Sequence, residues 1–212
     1  MEDREKSCYV DARGGAQFWR KKMNLFVKPS IIVKDSHEKQ KNKEILEMIK
    51  CKIENNDNYT ENCIKYILKT LSKVNFITSS AQIILKQFRE EPCIGLEEKK
   101  QYKINTRQKV NKDFFNLLTD KGKHQEYILL ELENIILSSK FKINNIYELR
   151  EYKKLGIKYV KIECCNDDRD CPAVKKYCNK EFELSQVPEL PLPECTADLC
   201  RCIYSAIISD II

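Results

Sequence analysis

The chain has 212 residues, 42% hydrophobic and 33% charged, so it can form one packed domain, or a domain with a small additional module. It contains no run of 18 apolar residues and its start is polar and acidic, so neither a transmembrane helix nor a signal peptide is predicted. We therefore expect a cytoplasmic protein without a membrane partner. The net charge of +6 is uneven: residues 1–160 hold 32 Lys/Arg and 22 Asp/Glu, whereas residues 161–212 hold 6 and 10. Attraction for phosphate is thus expected in the N-terminal part.

The N-terminal region predicts little regular structure. Residues 1–15 are expected to form a flexible tail. Phe18 and Trp19 then begin an aromatic and basic patch, for which packing on the core is favoured over nucleic-acid contact. The apolar residues Ile31 to Val33 predict a short strand.

Three helices are predicted next from hydrophobic spacing and capping residues. The first covers residues 36–53. The second follows Thr60, a good N-cap, with Glu61 in its first turn. The third begins after Ser79 or Ser80 and extends through Phe88.

Residues 96–112 are polar and basic. A solvated face or loop is the simpler interpretation of this stretch, but it is also the best candidate for phosphate contact in the chain. The candidate nucleic-acid contacts are Lys99, Lys100, Lys103, Arg107, Lys109 and Lys112.

Two further helices are predicted before the spacing of hydrophobic residues changes from helical to alternating. One covers residues 124–139, with apolar residues on more than one side, as in a buried helix. Another begins after Asn145, which heads a capping-box pattern, and Gly156 is its expected C-terminal stop. Residues 16–156 therefore predict a body of five or six helices.

Residues 157–212 predict a cysteine-rich β module. Alternating or β-branched segments indicate strands at 157–164, 180–184 and 201–208, and Asp170 is expected to cap a short helix that starts near Pro172. The predicted fold class is therefore α+β, a mainly helical body followed by a small three-stranded module.

Seven of the eleven cysteines lie between Cys164 and Cys202. In a reducing compartment such clustering favours metal binding over disulfides, which remain the alternative. A sheet of this size buries too little surface to be stable alone, and structural Zn²⁺ held by thiolates is the usual solution.

The module resembles the C-terminal module of phage head-morphogenesis proteins, the minor head proteins of the Mu F-like group. The resemblance covers about residues 150–208. It is carried by Asp167-x-Arg169-x-Cys171-Pro172, by Phe182, by the proline-rich loop Pro188–Pro193, and by Cys195 and Cys200-Arg201-Cys202. It implies a metal-binding module and an association with head assembly.

The chain departs from this pattern at two positions. Val174 stands where the family has its second cysteine, and Cys178, four residues later, is a candidate to compensate for the missing thiol. Asn179 stands in place of a glycine, a mild change because Asn tolerates left-handed backbone. The ligand set implied for Zn²⁺ is Cys171, Cys195, Cys200 and Cys202, with Cys178 and Cys164 or Cys165 in reserve. The alternative is a set of packed thiols that bind no metal.

Signals for an enzyme are weak. The two histidines, His37 and His124, lie far in sequence from the module cysteines, and no glycine-rich phosphate loop is present. The acidic residues Glu163, Asp167, Asp168 and Asp170, with Lys161, faintly suggest a metal-dependent nuclease. A turn with a helix cap and a partner for Arg169 is the simpler interpretation.

The leading hypothesis is a non-enzymatic interaction protein. Its basic body would engage DNA, RNA or a large assembly such as a phage or prophage head, and its module would be a structural zinc clip. The alternatives are a nuclease or phage-defence effector that uses the acidic turn Glu163–Asp170, and an adaptor that binds only proteins.

Overall fold

A computed structural model describes residues 31–165, 167, 170–197 and 199–208, with the backbone alone described for 31–35. The predicted tail at 1–15 and the patch at Phe18 and Trp19 lie outside these residues. The predicted α+β fold is confirmed: helices come first and a three-stranded sheet follows. Within the described residues, no helix has both the length and the apolar character needed to cross a membrane.

Seven α-helices precede the sheet in the described ranges, against five or six expected, because the stretch after Pro92 folds into three short helices. They are α1 (Ile31–Glu54), α2 (Glu61–Leu71), α3 (Ala81–Ile84), α4 (Leu96–Gln101), α5 (Lys112–Leu117), α6 (Asp120–Lys123) and α7 (Ile128–Lys154). A 3₁₀ turn covers Lys86–Arg89. The module contains β1 (Tyr159–Glu163), α8 (Pro172–Lys175), β2 (Glu181–Glu183) and β3 (Ile203–Ile207).

Helices α1 and α7 form the frame of the body. Ile45, Ile49 and Ile53 of α1 are fully buried at a spacing of four residues, which places them on one face. The strand predicted at Ile31–Val33 is wrong, because these residues form the first turn of α1. Their local β preference is overridden by the helix that continues through them.

Local capping starts α2 and α3 where predicted, but the third helix, predicted through Phe88, ends at Ile84 and is followed by the 3₁₀ turn. The Thr60 hydroxyl accepts a hydrogen bond from the Cys63 backbone N–H at 3.1 Å, and Ser80 caps α3 in the same way through Ile83. Each side chain satisfies an N–H group that the first helical turn leaves unpaired.

Helix α7 is one continuous helix of 27 residues, where two were predicted. Asn145 is therefore not an N-cap; it lies in the middle of α7, is buried, and donates from Nδ2 to the backbone oxygen of Cys202 at 3.3 Å. The capping pattern failed because its Asn has a partner in the module. The helix starts at Ile128 rather than near residue 124 because Thr119 caps a separate turn, α6, just before it.

The sheet is antiparallel with the order β2-β1-β3, and its three strands fall inside the predicted segments. Val160 of β1 pairs with Phe182 of β2 on one side and with Ala206 of β3 on the other. The predicted stop at Gly156 is confirmed by its left-handed φ of 72°.

The buried apolar side chains of the residues that the structure describes form two clusters. One lies among the helices of the body, and the other centres on Val160, Ile162 and Tyr204 of the module. The end of α7 joins the second cluster through Leu149 and Tyr152. Tyr204 also fixes the proline-rich loop, because its hydroxyl donates to the Pro188 oxygen at 2.7 Å and accepts from the Leu190 N–H at 2.8 Å.

Candidate functional site

The cysteines of the module come from separate elements that the sheet brings together. Cys164 follows β1, and Cys171 directly precedes α8. Cys178 forms an isolated parallel β-bridge with Ile162 of β1. The backbone N–H of the next residue, Asn179, donates a hydrogen bond to the Ile162 oxygen at 2.7 Å. Cys195, Cys200 and Cys202 lie on the segment between the proline-rich loop and β3.

Six thiols interact in a continuous series of pairs. Cys164 interacts with Cys178 at one end and with Cys202 at the other. Cys202 interacts with Cys200, which interacts with Cys195, which in turn interacts with Cys171. The four predicted ligands are therefore neighbours along this series, and Cys178 joins it through Cys164. We call these six residues the thiol cluster.

Interactions between the thiols, together with burial, lower the pKa of one member of the thiol cluster and raise the pKa of others. The Cys202 thiol donates a hydrogen bond to Cys200 and lowers the pKa of Cys200 to about 6, despite burial; the Cys202 backbone N–H and the Cys195 thiol act in the same direction. The same bond and burial raise the pKa of Cys202. Burial first, and then Cys178, raises the pKa of Cys164, and burial raises that of Cys195 to about 11. Within the Cys200–Cys202 pair, Cys200 is therefore the thiol that loses its proton more readily.

The thiols are paired rather than gathered around one point. Over the described residues, no three Cys, His, Asp or Glu side chains are grouped so that they hold a metal ion as they stand. The cysteines of the described ranges, Cys51 to Cys202, are also free of disulfides. The donor set nevertheless suits zinc, since thiolate sulfur is its commonest structural ligand.

The two departures from the family pattern are accommodated locally. Val174 is buried in the module core, so it serves as a packing residue where the resemblance would place a thiol. Asn179 adopts the left-handed backbone expected of the family glycine, with φ of 57°. Cys178 pairs with Cys164 and so lies at the end of the series opposite to Cys171.

The acidic turn is engaged by Arg201. Its guanidinium contacts both carboxylate oxygens of Asp167 and lies 3.2 Å from Asp170, which is buried. These bonds raise the pKa of Arg201. Asp170 is therefore not the helix cap that was predicted, because Cys171 occupies the N-cap position of α8 without a side-chain bond.

The other members of the predicted acidic site are separate or undescribed. Glu163 pairs with Lys161 at 2.9 Å. Asp168 and Arg169 lie outside the described residues. The histidines belong to the body: His37 packs edge-on against Tyr147, and His124 against Tyr102.

The six candidate nucleic-acid contacts lie on α4, on the loop after it and at the start of α5. Three of them are engaged within the protein. Lys99 donates to the Thr106 oxygen at 3.2 Å, Lys100 pairs with Glu97 at 3.0 Å, and Lys112 approaches Glu98 at 3.9 Å.

The other three, Lys103, Arg107 and Lys109, are exposed and form no ion pair with any described residue. Their loop is held in place from the body. The Asn105 N–H donates to the Glu126 oxygen at 3.0 Å, and the Gln108 side chain donates to the same oxygen at 2.7 Å. The loop therefore presents three uncompensated cations from a fixed backbone.

Sequence patterns did not indicate a cavity of about 380 Å³ between the body and the module. Lys52 of α1 and Lys142 of α7 line it from the body, and Leu192, Cys195 and Cys200 line it from the module. Neither lysine stands in a recognisable motif, and the two are 90 residues apart in sequence. Only the packing of α1 on α7 brings them together.

Comparisons with protein-family models, with curated proteins and with solved structures found no match for this chain.

Proposed function

We propose that this chain is a non-enzymatic interaction protein whose basic loop binds nucleic acid and whose cysteine module is a zinc-supported brace. The observation that carries the first part is the group of three exposed cations, Lys103, Arg107 and Lys109, which have no carboxylate partner among the described residues. Such cations are free to neutralise phosphates and to release counterions from nucleic acid.

The surroundings of the loop support this role. Lys123 of α6 packs over the ring of Phe115, which also contacts Tyr102, the residue directly before Lys103. Residues 96–126 hold eight Lys/Arg and five Asp/Glu, so the local balance is positive. Contacts between protein side chains and the phosphates of a nucleic acid carry no sequence information. We therefore expect binding without strong sequence preference.

Fluorescence anisotropy with a labelled 20-base-pair DNA duplex and a labelled single-stranded RNA at 50 mM salt tests the proposal. Replacing Lys103, Arg107 and Lys109 by Gln should weaken binding at least tenfold. It should also reduce the slope of log K against log salt by about 2 to 3, since each phosphate contact contributes about 0.9.

The matched control replaces Lys50, Lys65 and Lys154, which form ion pairs elsewhere on the body, by Gln and so removes the same charge. It should retain most of the affinity. Absence of binding at 50 mM salt, or equal loss in both triple variants, would rule out this interface.

The zinc part of the proposal rests on the thiol cluster. Cys171, Cys195, Cys200 and Cys202 are consecutive in the series of interacting thiols, and they come from segments that only tertiary contacts hold together. These four thiolates would hold the ion, and zinc binding would bring them from a series of pairs into a single coordination shell. Bound zinc would supply cross-links between these segments, which a sheet of three short strands lacks.

The resemblance to the minor head proteins suggests a setting for this interaction. We propose that the protein works in or near an assembly of the phage head type, where a basic surface beside nucleic acid is useful. The nuclease alternative is less favoured because Arg201 occupies the carboxylates of Asp167 and Asp170.

A further inference from the structure

The cavity between the body and the module has the dimensions of a small-molecule site. Its volume of about 380 Å³ falls within the range of about 300–1,000 Å³ that such sites occupy. One wall comes from α1 and α7, and the other comes from the segment that includes the proline-rich loop and the cysteines before β3. A ligand there would touch both parts of the protein.

Two ammonium groups face this cavity from different helices. Lys52 donates to the Ser138 hydroxyl at 2.6 Å, and Lys142 pairs with Glu189 at 2.9 Å. No carboxylate of the described residues forms an ion pair with Lys52. Burial, and then the nearby charge of Lys142, lowers the pKa of Lys52. Lys142 thus has one carboxylate partner, on a side chain 64% exposed to solvent, and Lys52 has none among the described residues.

The remaining walls are mixed: Ser138, Asn145, Cys195 and Cys200 supply polar or thiol groups, and the other lining residues are apolar. Phe141 of α7 lines the cavity beside the lysines, and Pro191, Leu192 and Pro193 line it from the module. The site thus combines a cationic end with an apolar surface that suits the organic part of a ligand. A phosphate monoester carries about 1.5 to 2 negative charges near neutral pH, which matches two ammonium groups better than a single carboxylate does.

We propose that this cavity binds a small organic phosphate, with the phosphoryl group between Lys52 and Lys142 and the organic part against Phe141 and Leu192. The site is separate from the proposed nucleic-acid loop and does not depend on it. Because the ligand would contact α1, α7 and the module together, its binding should stabilise their association.

Thermal unfolding in the presence of phenyl phosphate, inorganic phosphate or benzoate tests the proposal. Millimolar phenyl phosphate should raise the Tm of the purified protein by about 2–4 °C, an increase typical of roughly 1 kcal/mol of linkage in a chain of this size. Inorganic phosphate should give a smaller rise because it lacks the organic part. Benzoate, with one charge, should also give a smaller rise.

The Lys52→Gln/Lys142→Gln variant should lose at least three quarters of the phenyl phosphate effect. Two controls should keep it: Lys50→Gln/Lys153→Gln, with the same loss of charge on the same two helices, and the Lys103/Arg107/Lys109 triple variant. If the double variant proves unstable, isothermal titration of Lys52→Gln alone should show at least a fivefold weaker affinity than Lys50→Gln. Absence of a Tm rise, an equal rise with inorganic phosphate, or an equal rise in the double variant would overturn the proposal.

Discussion

Asn145, in the middle of α7, donates a hydrogen bond from Nδ2 to the backbone oxygen of Cys202 at 3.3 Å, and both residues are buried. This bond connects the longest helix of the body to the segment that carries three members of the thiol cluster. It also explains why a polar residue lies on a buried helical face, since a buried carbonyl without a partner is costly.

Replacing Asn145 by Leu should lower the free energy of unfolding by about 1–3 kcal/mol, because the Cys202 carbonyl loses its donor while remaining buried. Urea unfolding followed by circular dichroism measures the loss. Asn144→Leu, at the neighbouring half-buried position, is the control and should cost clearly less. Equal losses in the two variants would show that the bond contributes nothing specific.

Gly122 lies against the backbone that leads into α2. A Cβ atom at Gly122 would meet the Asn58 oxygen at 2.3 Å and its carbonyl carbon at 3.1 Å. The same Asn58 oxygen accepts from the Thr119 N–H, so it is not free to move away. Gly122→Ala should therefore destabilise the protein by about 1–3 kcal/mol, the usual cost of overpacking.

Gly95→Ala is the matched control for this steric effect, because its Cβ would meet only the Glu98 carboxylate, at 3.8 Å. It should cost at most about 1 kcal/mol, the difference between Gly and Ala at a helix N-cap. Thermal or urea unfolding of both variants decides the matter. A Gly122→Ala protein as stable as Gly95→Ala would mean that α6 does not pack on Asn58 as described.

Glu148 of α7 is expected to make stability depend on pH. Burial raises the pKa of Glu148, and this effect is opposed by a hydrogen bond from the Tyr152 hydroxyl at 3.0 Å. As pH rises, the unfolded chain loses this proton first, so the free energy of unfolding falls from the ordinary carboxyl pKa upward until the folded carboxyl also ionises.

Glu148→Gln removes this titration while keeping an acceptor for Tyr152. The variant should match the wild type near pH 4 and be more stable at pH 7.5, as measured by urea unfolding at both pH values. Glu151→Gln, at an exposed site paired with Lys154, should show no such gain at pH 7.5. The opposite result would be a variant that loses stability relative to wild type when the pH is raised from 4 to 7.5. It would show that the Glu148 carboxylate is stabilising.

Features that depend on a few adjacent residues could be predicted from the sequence. Thr60 and Ser80 cap their helices, Gly156 ends α7, and Asn179 takes a left-handed conformation. The strands follow from alternation and β-branching. For the two caps and for Gly156, the deciding interaction lies within four residues of the signal, whereas the strands also need distant partners, such as Ile207 for Tyr159.

Features that depend on distant contacts could not. Asn145 matched a cap by its local pattern, but its partner lies 57 residues away. Asp170 likewise resembled a cap and instead pairs with Arg201. The order of the thiols in space, and the meeting of Lys52 with Lys142, arise from the packing of α1, α7 and the module, which no local pattern encodes.

Elemental analysis of the untagged protein, purified without chelator, tests the zinc-supported module most directly. We predict about one equivalent of zinc per chain, lost in Cys200→Ser/Cys202→Ser and retained in Cys51→Ser/Cys93→Ser, which removes two thiols from the body. Removal of zinc by a chelator should unfold the module first. Less than about half an equivalent in the wild type, or equal zinc in both double variants, would contradict a zinc-supported module and leave the thiol cluster as packed thiols.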